Sequence, residues 1–180
     1  MPEARAAIAR AFDYAAAIGA PNVHVMAGKA LGPAARAAFV GNLRHAAELG
    51  AAQGVGVLIE PLNPRDAPGY HLLDLATAEA VLAEVGHPNL RIMFDCYHLA
   101  LTGHDLVPAL AAALPRIGHV QFAAVPDRAE PDHGEVDFPT LLPALAAAGW
   151  SGWFGAEYRP RAATDDGLGW MATLRAAWPK

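Results

Sequence analysis

A single cysteine, Cys96, stands in 180 residues, so no internal disulfide can staple the fold, and a reducing cytoplasm is the expected compartment. Charge is scarce too. Asp, Glu, Lys and Arg together make 17% of the chain and leave it at −5. With no basic excess and no Lys/Arg block, nucleic-acid binding through phosphate neutralisation is not expected. No apolar run is long enough to span a bilayer, so no membrane partner is expected. Met1-Pro-Glu-Ala-Arg5 lacks the hydrophobic centre of a signal peptide. Ala27-Gly28-Lys29, after the first expected strand, fits neither GxGxxG nor GxxxxGK[ST], which argues against an open nucleotide-binding sheet.

What the chain does have is apolar surface. Hydrophobic residues make up 54% of it, much of that alanine, which suits helices packed closely on a sheet and excludes a disordered chain. The length suits one domain over residues 1–180. Helical periodicity over Pro2–Ile18 places Ile8, Phe12, Ala15 and Ala16 on one stripe, with Gly19 to end it. Further helices are expected from Pro33 to about Leu49, Leu75–Val85 (Thr77 or Asp74 as cap), Asp105–Leu114, Phe138–Ala148 and Asp165–Trp178.

Between them lie five short apolar runs. The first is Val23–Met26; the others are Gly54–Glu60, Leu90–Asp95, Ile117–Gln121 and Trp153–Glu157. One extra helix in front, then five strands each followed by a helix, specifies an α/β fold with parallel strands and right-handed crossovers. In such sheets the ligand sits at the carboxyl ends of the strands. Glu60, Asp95, Gln121 and Glu157 all stand at such ends, so they are expected to face one site. A lone acid there is often a helix cap or a surface charge; four in succession are not easily explained that way. Three carboxylates in one cleft repel each other, and a divalent cation removes the repulsion. Oxygen donors from these four residues suit Mg²⁺ or Mn²⁺ better than zinc.

His98, one turn beyond Asp95, is expected to orient a substrate oxygen rather than only satisfy a buried carbonyl. Arg128, in the long loop Pro126–Glu135, and Arg159, just after Glu157, are candidates to hold an anionic substrate, because arginine pairs bidentately with carboxylates. An exposed ion pair is an equal reading for each. His24 and His119 lie within strands and read as lining or core residues. His45, His87, His104 and His133 read as surface histidines, Cys96 as buried packing, and the four tryptophans as packing.

Several segments resemble the hydroxypyruvate isomerase family of xylose-isomerase-like TIM barrels. They are Leu58-Ile-Glu-Pro-Leu-Asn63, Phe94-Asp-Cys-Tyr-His98, Gly118-His-Val-Gln-Phe122, Val125–Glu135, Gly155-Ala-Glu-Tyr-Arg-Pro160 and Gly167-Leu-Gly-Trp-Met171. The resemblance implies that Glu60, Asp95, Gln121 and Glu157 are metal ligands and that Glu60 and Glu157 are the acid/base pair. It also implies interconversion of hydroxypyruvate and 2-hydroxy-3-oxopropanoate, a small hydroxy-oxo acid. Close relatives of that family isomerise 2-oxo-tetronates, and more distant ones epimerise ketoses. Moving a carbonyl to the next carbon requires a proton taken from one carbon and returned to its neighbour through an enediolate, which two carboxyl groups flanking the substrate can do.

A full barrel takes about 250 residues. The expectation is therefore a partial (β/α)8 barrel of about five parallel strands with helices outside, lacking the first three βα units. A start codon placed too late, a genuine truncation, or completion of the sheet by another chain would each explain this, and open edges would favour homo-oligomers. The alternative of another class is an inactive remnant that binds a metal or a partner chain.

Overall fold

The computed structural model describes residues 2–178; the ends of the domain expected over 1–180 lie outside the described residues. Contact density divides the chain into two compact units, residues 1–93 and 94–180.

In the first unit, α1 (Pro2–Ile18) buries Ile8, Phe12 and Ala15 of the predicted stripe and leaves Ala16 exposed. Strand β1 (Asn22–His24) follows, then α2 (Pro33–Gln53), which starts on a proline and buries Phe39, Val40 and Leu43. The helix runs four residues past its expected end, because Gly54, at φ 71°, takes the left-handed position that stops it. Strand β2 therefore begins at Gly56 and ends at Ile59, leaving Glu60 just beyond it. Helix α3 (Leu75–Val85) is capped by Asp74, whose carboxylate accepts a 2.7 Å bond from the Thr77 amide. Strands β1 and β2 pair in parallel, Val23 opposite Val57, and β2 pairs in parallel with β3 (Leu90–Asp95), Ile59 opposite Ile92. Ile59, Ile92 and Phe94 are fully buried, as parallel strands covered on both faces should be.

Strand β3 runs across the division, and the strands neighbour one another in chain order, β1 to β5. In the second unit a helix absent from the sequence reading, α4 (Cys96–Leu101), starts at the last residue of β3. Helix α5 (Leu106–Ala113) passes into a 3₁₀ turn over Leu114–Arg116 that takes in Pro115. Strand β4 (Ile117–Phe122) pairs in parallel with β5 (Phe154–Ala156), Gln121 opposite Gly155. Helix α6 (Phe138–Ala147) lies between them in sequence. Strand β5 is shorter than expected, so Glu157 sits one residue past it. The last helix, α7 (Trp170–Ala177), is preceded by a 3₁₀ turn at Thr164–Gly167. Trp170 packs edge-on against Phe122 and Tyr158. Trp153 departs from its expected packing role: it is 85% exposed.

Candidate functional site

At the end of β2, Glu60 is buried, with its Oε2 3.8 Å from Nδ1 of His24 at the end of β1. Around it the two following loops are tied by main-chain bonds. The Tyr70 hydroxyl accepts a 2.8 Å bond from the Ala27 amide, the His71 amide donates to the Gly28 carbonyl, and His71 Nδ1 lies 2.9 Å from the Ala30 carbonyl. Burial pushes the Tyr70 phenol above its usual pKa against the pull of that bond, and the charge of Glu60 adds to the push. Asn63, buried, accepts from the Asp66 amide at 2.9 Å and so caps a turn in the proline-rich loop.

The second unit builds its part around Asp95. One carboxylate oxygen, Oδ1, accepts from the amides of Tyr97 (2.8 Å) and His98 (3.3 Å) and so starts α4. The other, Oδ2, is buried, accepts no hydrogen bond among the described residues, and lies 3.8 Å from Nη2 of Arg128. The cap and the candidate ligand are thus two oxygens of one side chain. Burial pushes the Asp95 carboxyl up to about 6, the Arg128 charge and the His98 and Tyr97 amides oppose this, and the charge of Glu157 adds to it.

Arg128 is the hub. Its Nη2 donates to Glu157 Oε2 at 2.9 Å, its Nη1 lies 3.0 Å from His98 Nε2, and its guanidinium sits 5.1 Å from the centre of the Tyr97 ring. Since the guanidinium can only donate, His98 must present Nε2 as an acceptor and carry its proton on Nδ1. The backbone of Arg128 is left-handed, with φ 59°, at a cost of about 1–2 kcal/mol for a residue with a Cβ. Main-chain bonds hold it there: its amide donates to the Ala124 carbonyl at 2.9 Å, and its carbonyl accepts from the Arg159 amide at 2.7 Å.

Of the residues singled out from sequence, the second unit therefore brings together Asp95, His98, Arg128 and Glu157. Glu157 is 54% exposed on its side chain and Arg128 16%. Gln121 is half-buried on β4, and its Oε1, like Asp95 Oδ2, is buried and accepts no hydrogen bond among the described residues. Arg159 contributes its main-chain amide to the loop while its side chain is exposed. An orphaned oxygen on Asp95, whose carboxyl is itself pushed up by burial, and another on Gln121 suit a hard divalent cation, which would stabilise the charged Asp95. Buried Cys96 has its thiol pushed well up by burial and by Asp95, which agrees with a packing role. His119 is half-buried and pushed down by burial.

Three participants were missed. Tyr70 carried no signal, being one apolar-looking residue in a loop. Glu130 and Arg161 were hidden by their separation: their pairing spans 31 positions. The hint was an acid-rich loop followed, beyond β5, by two arginines of which only the first was considered.

Comparison with known proteins now bears on this arrangement. Residues 2–174 match the family model described as xylose isomerase-like TIM barrel. The chain belongs to that family. Among its relatives, the 2-oxo-tetronate isomerase of Cupriavidus necator is 47% identical over 171 residues, covering 93% of this chain and 66% of the relative. The hydroxypyruvate isomerase of Escherichia coli is 35% identical over 179 residues, covering 96% of this chain and 69% of that protein. A crystal structure described as AP endonuclease, family 2, from Brucella melitensis superposes with a TM-score of 0.90 at 38% identity, covering 95% of this chain and 67% of the other. The chain thus spans about two thirds of the length of these xylose isomerase-like relatives. The family assignment agrees with the five parallel strands and alternating helices described above.

Proposed function

We propose that this chain, as a single domain, isomerises a small hydroxy-oxo acid, interconverting hydroxypyruvate and 2-hydroxy-3-oxopropanoate. The observation that carries the reading is Arg128, which joins His98 to Glu157 beside the buried Asp95. Glu60, Asp95, Gln121 and Glu157 would hold Mg²⁺ or Mn²⁺. Such an ion, when bound, supplies stabilisation of the negative charge that develops on the substrate oxygens. Glu157, ionised at the start, takes a proton from the hydroxyl-bearing carbon. Glu60, protonated at the start, gives a proton to the neighbouring carbonyl carbon, and the hydroxyl proton passes to the other enediolate oxygen, so the carbonyl moves by one position. Arg128 and Arg159 hold the substrate carboxylate. His98 orients a substrate oxygen, its tautomer set by the Arg128 bond to Nε2.

A 2-oxo-tetronate is the second substrate reading, favoured by the 47% identity with an isomerase of that name. A ketose epimerised at the same site is a third. The net charge of −5 opposes a nucleic-acid substrate. No helix among the described residues is long and apolar enough to cross a membrane, and a buried lone cysteine fits the cytoplasm. Self-association through uncovered strand edges remains part of the proposal.

Proton–deuterium exchange into hydroxypyruvate and into a 2-oxo-tetronate in D₂O, with Mg²⁺ and with EDTA, tests this. Metal-dependent exchange into either acid supports the reading and chooses the substrate. A folded, metal-loaded chain that exchanges neither overturns it in favour of an inactive remnant.

A further inference from the structure

We infer that Glu130 and Arg161 are positioning residues: the pairing of buried Glu130 with half-exposed Arg161 holds the 126–135 loop so that Arg128 keeps its place against His98 and Glu157. The inference rests on the role proposed above for Arg128.

Glu130 is only 1% exposed, and a carboxylate is rarely buried unless it is paired. Both of its oxygens are occupied by a single residue. The Arg161 amide donates to Oε1 at 3.0 Å and reaches Oε2 at 3.3 Å, and Arg161 Nε donates to Oε2 at 2.8 Å. The 3₁₀ turn closes over this carboxylate at Gly167, where any Cβ would press on Oε1. Glu130 is thus held by its own loop, by the segment leaving β5, and by the turn before α7.

The same loop carries Arg128 two residues earlier, in a left-handed backbone that it would not hold alone. Arg161 continues outward through Nη2 to Asp132 at 2.6 Å, Asp132 to His133 at 2.8 Å, and His133 to Asp127 at 2.9 Å. Asp127 in turn accepts from the Ala129 amide. The chain of contacts therefore returns to the residues on either side of Arg128. Because Arg159 and Arg161 both bind this loop and both follow Glu157, Arg128 and Glu157 are kept in one frame. None of the pairing residues touches the reacting groups, so the expected signature is loss of placement, not loss of a reactive group.

The test compares Glu130→Gln, Arg128→Ala and the double variant with the parent chain. Amide hydrogen exchange at Arg159, whose proton is bonded to the Arg128 carbonyl, reports the loop directly. Expected for Glu130→Gln are at least tenfold faster exchange at Arg159, exchange in the β2 and β3 amides within twofold of the parent, and at least a tenfold drop in kcat on the substrate identified above. In the Arg128→Ala background the same change should lower kcat by less than twofold further, because the placement it secures is already gone. Unchanged exchange at Arg159, or a kcat loss that adds in full to that of Arg128→Ala, would overturn the inference. If the parent chain turns over neither substrate, the proposed activity fails while the exchange result still decides the positioning. Should Glu130→Gln not fold, Arg161→Lys keeps the main-chain bond and drops the Nε bond, and the same readouts and criteria apply.

Discussion

The loops that follow β1 and β2 and the loop that follows β4 solve one problem with different materials. Around Glu60 the chain is tied by neutral bonds: the Tyr70 phenol to the Ala27 amide, the His71 amide to the Gly28 carbonyl, and the Asn63 side chain to the Asp66 amide. Around Arg128 it is tied by charges, with Glu130, Arg161, Asp132, His133 and Asp127 in series. Neutral ties hold over the whole working pH range and ignore salt. Charged ties are more directional, but each responds to protons and ionic strength. The group beneath the neutral ties is buried, whereas Glu157, in the charged region, is half-exposed, so the more open end carries the more responsive scaffold.

The largest effect expected from breaking this contrast is chemical. Glu60→Gln and Glu157→Gln should each lower turnover by about 10²–10⁴-fold, the usual worth of a general acid or base. Retention of full isomerase activity by Glu157→Gln, read by single-turnover exchange in D₂O, would remove it from the pair. Next, Arg128→Gly should collapse turnover and leave Tm little changed, because relief of about 1–2 kcal/mol of left-handed strain offsets the lost guanidinium contacts. A fall in Tm instead would mean that the guanidinium contacts outweigh the strain. Tyr70→Phe tests the neutral side: the lost bond to Ala27 should cost about 1 kcal/mol, by the same amount at pH 5 and pH 8.

The smallest effect sharpens the comparison most. Hydrogen bonds donated to Asp132 and then to Asp127 hold the His133 imidazole above its usual pKa. Asp132 is held low by His133, with Arg161 assisting against a small burial cost. For Asp127 burial works upward, but the His133 and Ala129 bonds outweigh it. A raised histidine stabilises fully below about pH 6.5, and this is lost as pH rises through its folded value. A lowered aspartate stabilises above about pH 4, and this is lost as pH falls through its folded value. His133→Ala should therefore cost most between about pH 4 and 6.5, by under about 1 kcal/mol for exposed groups, and little above pH 8. Denaturant midpoints across that range measure it; a cost independent of pH would show that the pairing contributes nothing.

Much of the fold was legible because its punctuation is local. Gly19, Pro33, Asp74 and Gly86 mark helix ends by backbone chemistry alone, and alternation of strands and helices leaves few topologies. Helix α4 was not legible: six residues are too few for periodicity, and its start depends on a cap that also read as a ligand. The short β5 was overestimated because Trp153 reads as a strand residue, yet nothing in the described structure covers its ring. For the site, residues at strand ends could be found from position, since topology delivers them. Glu130 and Arg161 could not, because a pairing across 31 positions is decided by packing and leaves no spacing to read.

Asp95 divides its two oxygens between starting α4 and facing Arg128. That division bears on how the position can drift. A serine or threonine could still begin the helix, and an asparagine could do so with the same shape, but each would discard the charge. If Asp95 serves the proposed reaction, a descendant released from catalysis would keep a capping residue here while losing the acid, so the side chain found at position 95 would separate a working enzyme from a preserved fold.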